Sequence, residues 1–380
     1  MAAKIVRQPN QIAVLGAPSS AAAMSRGHER APQALRAAGL IERLKSAGYQ
    51  VNDLGDDPPQ LFEPDEQSPR ARNLPRIVAA LESLKPRVEL AVKSGALPLI
   101  LTGDCTMALA MIAGMRRYYR NVGLIYIDRD ADLNIPATTP SGCVDGMVVS
   151  HLTGRGAAEL VRFWSEPPLV REPDLALFGV ERLDPPEEEV LRRSPLRRYL
   201  AADVLRMGAA AAAQTAVERV HGNSNEFALH FDVDVIADFP ATNYPGAGGL
   251  SIEQVREALE IFTQQKHLAA IELAAYNPEM DPDGSGARTI VDLLGSVLEA
   301  RLKSLAASAA PVEAPAPTPA PETKSEASVP PPAEPAPPAT SAEVAPGEAW
   351  TSGSLAEEIV AEDSETAPAD GSHETEDSHT

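Results

Sequence analysis

The sequence predicts a doubly wound α/β domain: three αβα layers around a mostly parallel sheet of about eight strands, with a polar tail behind it. Short runs rich in Val, Ile and Leu recur from Ile12 to Leu273. Each is followed by a stretch whose apolar residues return at helical spacing, which is the alternation of a βαβ chain. The apolar runs are continuous rather than alternating, so both faces of the sheet must be covered by helices. With 380 residues, 44% of them hydrophobic, the chain is long enough to bury such a core.

In chain order, strands are expected at Ile12–Ala17, Val51–Leu54, Leu97–Thr102, Gly123–Ile127, Leu175–Gly179, Ala228–Val233 and Ala269–Leu273, with a short one at Tyr199–Ala202. A last helix is expected over Ile290–Leu305 from the periodic return of its apolar side chains. The composition then changes sharply, because PVEAPAPTPAPETKSEASVPPPAEPAPPAT can bury almost nothing. The expected organisation is one α/β domain over residues 1–306 and a disordered Pro/Ala/Glu-rich acidic tail over 307–380. Within that tail, Leu355–Val360 beside Trp350 is a short amphipathic segment able to dock on a partner.

Charge narrows the function class. The formal net charge is −21, but from Ala307 onward 15 acidic residues face one lysine, which leaves −7 for residues 1–306. No basic stripe interleaved with aromatics supplies the phosphate-neutralising term of nucleic-acid binding. Cys105 and Cys143 cannot form a disulfide framework, and the N-terminus lacks the order of a signal peptide, so a cytoplasmic protein is expected. Apolar runs such as Leu97–Leu101 fall far short of the roughly 20 residues of a membrane helix. Gly16-Ala17-Pro18 lacks the glycine spacing of a dinucleotide fingerprint. What is left is a protein that takes a small-molecule substrate and binds neither nucleic acid nor membrane.

Two segments concentrate aspartates at strand ends: DRDADLN, with Asp128, Asp130 and Asp132, and HFDVDV, with Asp232 and Asp234. Ligands of open α/β sheets sit just beyond the carboxyl ends of the strands, so carboxylates there converge on a cleft. Alternation along a strand points residues i and i+2 the same way. Single strand-end aspartates are usually helix caps or turn formers. Five in two clusters repel one another unless protons or a cation intervene, and a divalent metal site is the economical reading. Arg129, inside the first cluster, offers an internal counter-ion as the competing explanation.

Further motifs stand in order around these segments. IAVLGAPSS and SRGHERAPQALRAAGLIERL open the chain, followed by TGDCT, DRDADLN, SGCVDG, HFDVDV and AAYNP. In order and spacing they resemble the arginase (ureohydrolase) family over residues 11–300. TGDCT stands where that family has Gly-Gly-Asp-His-Ser, and DRDADLN where it has Asp-Ala-His-x-Asp-x-Asn. SGCVDG stands for Ser-Gly-Asn-Leu-His-Gly, and AAYNP for Glu-Val-Asn-Pro. The resemblance implies the arginase-like fold, a homo-trimer or hexamer, and hydrolysis of a guanidinium or amidine carbon by hydroxide made on a binuclear Mn²⁺ site.

Carried over residue by residue, that metal site comprises Cys105, Asp128, Asp130, Asp132, Asp232 and Asp234. Cys105 and Asp130 depart from the pattern, since the family has histidine at both places. Carboxylates with one thiol lean toward Mn²⁺, with Mg²⁺ or Ca²⁺ as alternatives. Asp145 stands at the proton-shuttling histidine and can serve as acid or base if its pKa is tuned. Ala275 stands where the family's Glu holds the guanidinium; Glu272, Tyr276 and Glu279 are the nearby candidates to compensate. Asn134, Thr139 and Ser141 match positions that hold an amino-acid carboxylate, and Asp184 and Glu187 match positions near the α-amino group, so the substrate is expected to be amino-acid-like.

Three residues carry individual expectations. Cys105 sits where a helix N-terminus lowers a thiol pKa, as ligand or as inert core thiol. His151, six residues beyond Asp145, is the second catalytic candidate if the intervening loop folds back. His230 shares a side of its strand with Asp232 and belongs in or just behind a metal site, although the resemblance gives that place to Ser. The function expected is a metal-dependent hydrolase of amidine or amide C–N bonds. The alternatives are a catalytically inactive family member that binds a small molecule or a partner, and an acidic Ca²⁺-binding or assembly protein.

Overall fold

The computed structural model describes residues 5–164, 166–221 and 224–309. Eight strands form one sheet: β1 (Gln11–Ala17), β2 (Gln50–Asp56), β3 (Leu97–Thr102), β4 (Val122–Ile127), β5 (Leu175–Val180), β6 (Arg197–Leu200), β7 (Glu226–Asp232) and β8 (Leu268–Ala274). Every pairing is parallel, in the order β2-β1-β3-β8-β7-β4-β5-β6. Each expected strand is present. The Tyr199–Ala202 expectation shifts toward the N-terminus, because Ala201 begins the helix Ala201–Met207. The last helix runs Ser285–Ala309, longer than the expected Ile290–Leu305. Residues 307–309, assigned to the expected tail, are the end of this helix; the rest of the tail expectation, with its Leu355–Val360 segment, lies outside the described residues. Among the described residues no helix is long and apolar enough to cross a membrane.

Burial explains the continuous apolar runs. Along β3, Leu97, Leu99 and Leu101 join one core with the helices Leu40–Ser46, Ile252–Thr263 and Ser285–Ala309. Ile100 faces a second core with Leu74–Ser94 and Met107–Met115. The six inner strands thus alternate between two oily layers, which selects against polar residues on either side, whereas the edge strands β2 and β6 keep exposed polar residues.

Topology then places the site. The chain runs β1–β3 on one flank and β4–β6 on the other, and β7 and β8 later fill the gap between β3 and β4. A crevice opens at the carboxyl ends of the strands where the winding reverses, as the strand order requires. The turns after β3 and β4 and at the end of β7 carry TGDCT, DRDADLN and HFDVDV into that crevice.

Buried histidines make this fold sensitive to acid, and His28 is one whose effect can be isolated. His28, in the turn His28–Arg30, is fully buried and neither ring nitrogen has a hydrogen-bond partner. Burial lowers its pKa from 6.5 to about 4. Between those values the unfolded chain binds a proton that the folded chain refuses, so stability present at neutral pH is lost as pH falls through that window. The loss is about 3 kcal/mol by pH 4. Urea midpoints of wild type and His28→Gln at pH 7 and pH 4.5 check this; the variant is expected to lose distinctly less stability on acidification.

Candidate metal centre

The two aspartate motifs fold into the same small turn on neighbouring strands. After β4, the Asp128 carboxylate accepts the Asp130 N–H at 2.8 Å; at the end of β7, the Asp232 carboxylate accepts the Asp234 N–H at 2.7 Å. The side chain takes an N–H that would otherwise continue the ladder, so the strand ends there and both carboxylates turn inward. Strand alternation is therefore not what unites Asp232 with Asp234, because Val233–Val235 is a tight 3₁₀ turn.

Cys105 arrives from the turn after β3. Its N–H donates to Asp145 Oδ1 at 2.7 Å and its Sγ lies 3.1 Å from Asp232 Oδ2. Asp104 staples the loop from below, accepting from Ser19 Oγ at 2.5 Å and from the Thr106 N–H at 3.2 Å. The donor atoms of Cys105, Asp128, His230 and Asp232 lie within 4.8 Å of one another with all four residues buried, and Asp128, Asp130 and Asp234 form a second such group. Asp132 belongs to neither group: it takes a left-handed backbone (φ 51°) and accepts a hydrogen bond from the Tyr126 hydroxyl.

The electrostatics are those of crowded buried acids. Burial, then the neighbouring aspartates, push Asp128 and Asp232 well above the usual carboxylate range. Burial, then Asp104, raises Asp145 to about 8. Asp130 reaches about 6, with burial raising it against the opposing pull of Arg182. Such a group holds either protons or a cation. The Cys105 thiol also shifts upward, opposite to the helix-dipole expectation, because burial and four surrounding carboxylates outweigh a helix that begins two residues later at Met107.

The counter-ion is not Arg129. Its backbone joins the cluster, but its side chain turns away and Nε donates to Glu181 at 2.8 Å. Arg182, just beyond β5, fills that role: Nε donates to Asp130 Oδ1 at 2.9 Å and Nη2 reaches Asp234 Oδ2 at 2.5 Å.

A cavity of about 600 Å³ opens beside the cluster. Of the residues expected to form the site, it brings together Cys105, Asp128, Asp130, Asp132, Asp232, Asp234, Asp145, Asn134, Thr139, Ser141, Asp184 and Glu187. His151 is not among its lining: it is buried beneath the loop after its helix, where Nε2 accepts the Ala157 N–H at 3.1 Å. Glu187 has both oxygens on backbone N–H groups, of Leu133 at 2.8 Å and Asp184 at 2.9 Å, which fixes the loop to the start of the helix Pro185–Arg193. None of the residues weighed as replacements at Ala275 lines the cavity. Glu272 is fully buried within β8, the Tyr276 hydroxyl donates to Asp281 at 2.8 Å, and Glu279 pairs with Arg30 at 3.4 Å.

Sequence reasoning passed over Arg182, Glu181 and Tyr244, which also line the cavity, and placed His230 in or just behind the site without choosing between the two. His230 Nδ1 lies 2.9 Å from Glu272 Oε2, while Nε2 is buried without a hydrogen-bond partner. Asp128 Oδ2 is 3.9 Å from Nε2, beyond hydrogen-bond range. A buried, unpartnered imidazole nitrogen close to a thiol and two carboxylates fits a metal ion.

Comparisons with known proteins agree with this architecture. The model of the arginase family matches residues 10–299. The arginase of Bacillus caldovelox is 30% identical over 295 residues, covering 77% of this chain and 99% of that protein. The crystal structure of arginase from Bacillus cereus superposes with a TM-score of 0.70 at 30% identity, covering 76% of this chain and 98% of the other. The formimidoylglutamase of Bacillus subtilis shares the fold at 19% identity, with a TM-score of 0.61 over 80% of this chain and 88% of the other. Fold, motif order and whole-domain likeness coincide, and the chain belongs to the arginase family.

Proposed function

We propose that the protein is a metal-dependent hydrolase of amidine or amide C–N bonds in a small, amino-acid-like substrate. The observation that carries this reading is the convergence of Cys105, Asp128, His230 and Asp232 on one buried point beside a cavity of substrate size. Cys105, Asp128 and Asp232, with Asp130, Asp132 and Asp234 around them, are the residues offered to the metal, for which the family resemblance favours Mn²⁺. Bound there, a divalent cation supplies Lewis acidity that makes hydroxide available near neutral pH.

The chain's own groups do the rest. Asp145, held against the Cys105 N–H and tuned toward neutral pH, moves a proton to the departing nitrogen. The Thr139 and Ser141 oxygens accept backbone N–H groups of their own loop, of Gly142 at 2.9 Å and Cys143 at 3.1 Å, and lie 3.5 Å from each other, so one hydroxyl proton can serve that contact while the other meets a substrate carboxylate. The Asn134 amide donates to Asp184 at 2.8 Å, which orients that carboxylate toward an ammonium. With alanine at 275 and a guanidinium of the chain already among the acids, the substrate we favour is not arginine but a relative with another nitrogen-bearing side chain.

The test is ammonia or urea release from a panel of guanidino, amidino and amide amino-acid derivatives, with and without added divalent metal. Metal-dependent turnover that disappears in Asp232→Ala is expected. A panel without turnover in the metal-loaded protein overturns the reading. A homo-trimer or hexamer is the assembly we expect, which sedimentation velocity reads directly.

A further inference from the structure

Three residues lie side by side across three adjacent strands. Tyr126 on β4 is in register with His230 on β7, and His230 with Glu272 on β8. The Tyr126 and His230 rings stack with centroids 4.1 Å apart and planes 10° from parallel. On its other side, the imidazole Nδ1 meets the fully buried Glu272 carboxylate at 2.9 Å. The ring is fixed in position by the first contact and in rotation by the second. A carboxylate bonded to one imidazole nitrogen leaves the lone pair of the other free and more basic, the arrangement that backs metal-bound histidines. That other nitrogen is the unpartnered Nε2.

Asp128 divides its two oxygens between the two groups. Oδ1 accepts the Asp130 N–H, whereas Oδ2 is the oxygen facing His230. The first group thus presents one sulfur, one nitrogen and two carboxylates. Four donors of that mixture suit a tetrahedral Zn²⁺ or Co²⁺ better than the oxygen-preferring Mn²⁺, Mg²⁺ or Ca²⁺. The second group is all oxygen, but two of its three carboxylates are already clamped by Arg182. A planar guanidinium donating to both occupies the place of a second cation and supplies one of its charges.

We propose that the centre holds a single metal ion of the Zn²⁺ class on Cys105, Asp128, His230 and Asp232, with the Arg182 guanidinium in the second cation position. His230 takes over a role left open by the loss of histidine at positions 105 and 130, from a different strand and with Glu272 as its positioning residue. This rests on the metal-dependent reading above, and replaces its Mn²⁺ and six offered residues with one Zn²⁺-class ion on these four.

The experiment is a Co²⁺ titration of the full-length, chelator-stripped protein, followed by absorbance and by elemental analysis after gel filtration. One Co²⁺ per chain is expected, with a sulfur-to-cobalt charge-transfer band in the near ultraviolet. Cys105→Ser loses the band. His230→Gln weakens binding by more than about 100-fold, and Glu272→Gln by about 10- to 100-fold. Arg182→Met raises uptake from one ion to two. Two ions per wild-type chain, a band that survives Cys105→Ser, or unchanged affinity in His230→Gln overturns the single-ion centre while leaving a metal enzyme in place. No uptake of cobalt by the wild-type protein overturns this proposal and the metal-dependent function together.

Discussion

Replacing Asp145 with asparagine is expected to slow hydrolysis by about 10²- to 10⁴-fold while the metal stays bound. The amide keeps an oxygen for the Cys105 N–H, now 2.7 Å from Asp145 Oδ1, so the loop that presents the thiol is retained. What disappears is the ionisable proton. Asp145 is suited to carry it because burial, then Asp104, raises its pKa to about 8 in the cation-free chain, and a cation nearby draws that value back toward neutrality. Steady-state kinetics across pH with metal analysis of the same sample checks this: the variant loses one limb of the rate profile at unchanged metal content. A drop smaller than about tenfold would remove Asp145 from the proton-transfer role.

The second large effect is on the loop itself. A Cβ on Gly103 would stand 1.9 Å from the Ser19 carbonyl oxygen and 2.7 Å from the His28 backbone. Both neighbours are main chain and cannot swing aside. The Gly103 carbonyl also accepts the Ala275 N–H at 2.8 Å, so the turn after β3 is tied to the end of β8. Gly103→Ala is expected to cost about 3 kcal/mol or more and to lower the thermal midpoint by about 5–10 °C. Because Cys105 lies two residues on, metal affinity is expected to fall in the folded fraction as well. Differential scanning calorimetry reads the first effect, and a midpoint within about 2 °C of wild type would show that the backbone opens without strain.

Much of this architecture is legible in the sequence. Runs such as Leu97–Thr102 and Val122–Ile127 specify doubly covered parallel strands because no other setting tolerates apolar residues on both faces. Aspartates directly after such strands lie where an open sheet places its ligands, and they do converge. Arg129, the competing counter-ion, lies in the turn after β4, and its side chain pairs with Glu181 instead, a contact that the local sequence does not reveal. Arg182 gave no local signal at all. It reaches the cluster only because β5 lies beside β4, which brings Arg182 against Asp130 in an isolated parallel bridge.

The His230–Glu272 pair did carry a signal. A glutamate in the middle of LAAIELA cannot be buried without a partner, and a histidine two residues before Asp232 is a natural one. Only the sheet order, with β7 next to β8, turns that possibility into a contact. His151 failed as a catalytic candidate because its loop closes over the ring: a Cβ on Gly156 would lie 2.6 Å from its Nε2. That contact depends on a turn geometry that no spacing rule reveals.

The most direct measurement is the thermal midpoint of chelator-stripped protein with and without a divalent ion. If the buried aspartates are held apart by a cation, relief of their repulsion appears as stability. At an ion concentration about 100 times its Kd the gain is about 2.7 kcal/mol, a rise of roughly 5 °C or more, and Asp128→Ala removes it. A wild-type midpoint that no divalent ion moves, in protein that retains none after dialysis, would contradict the metal centre.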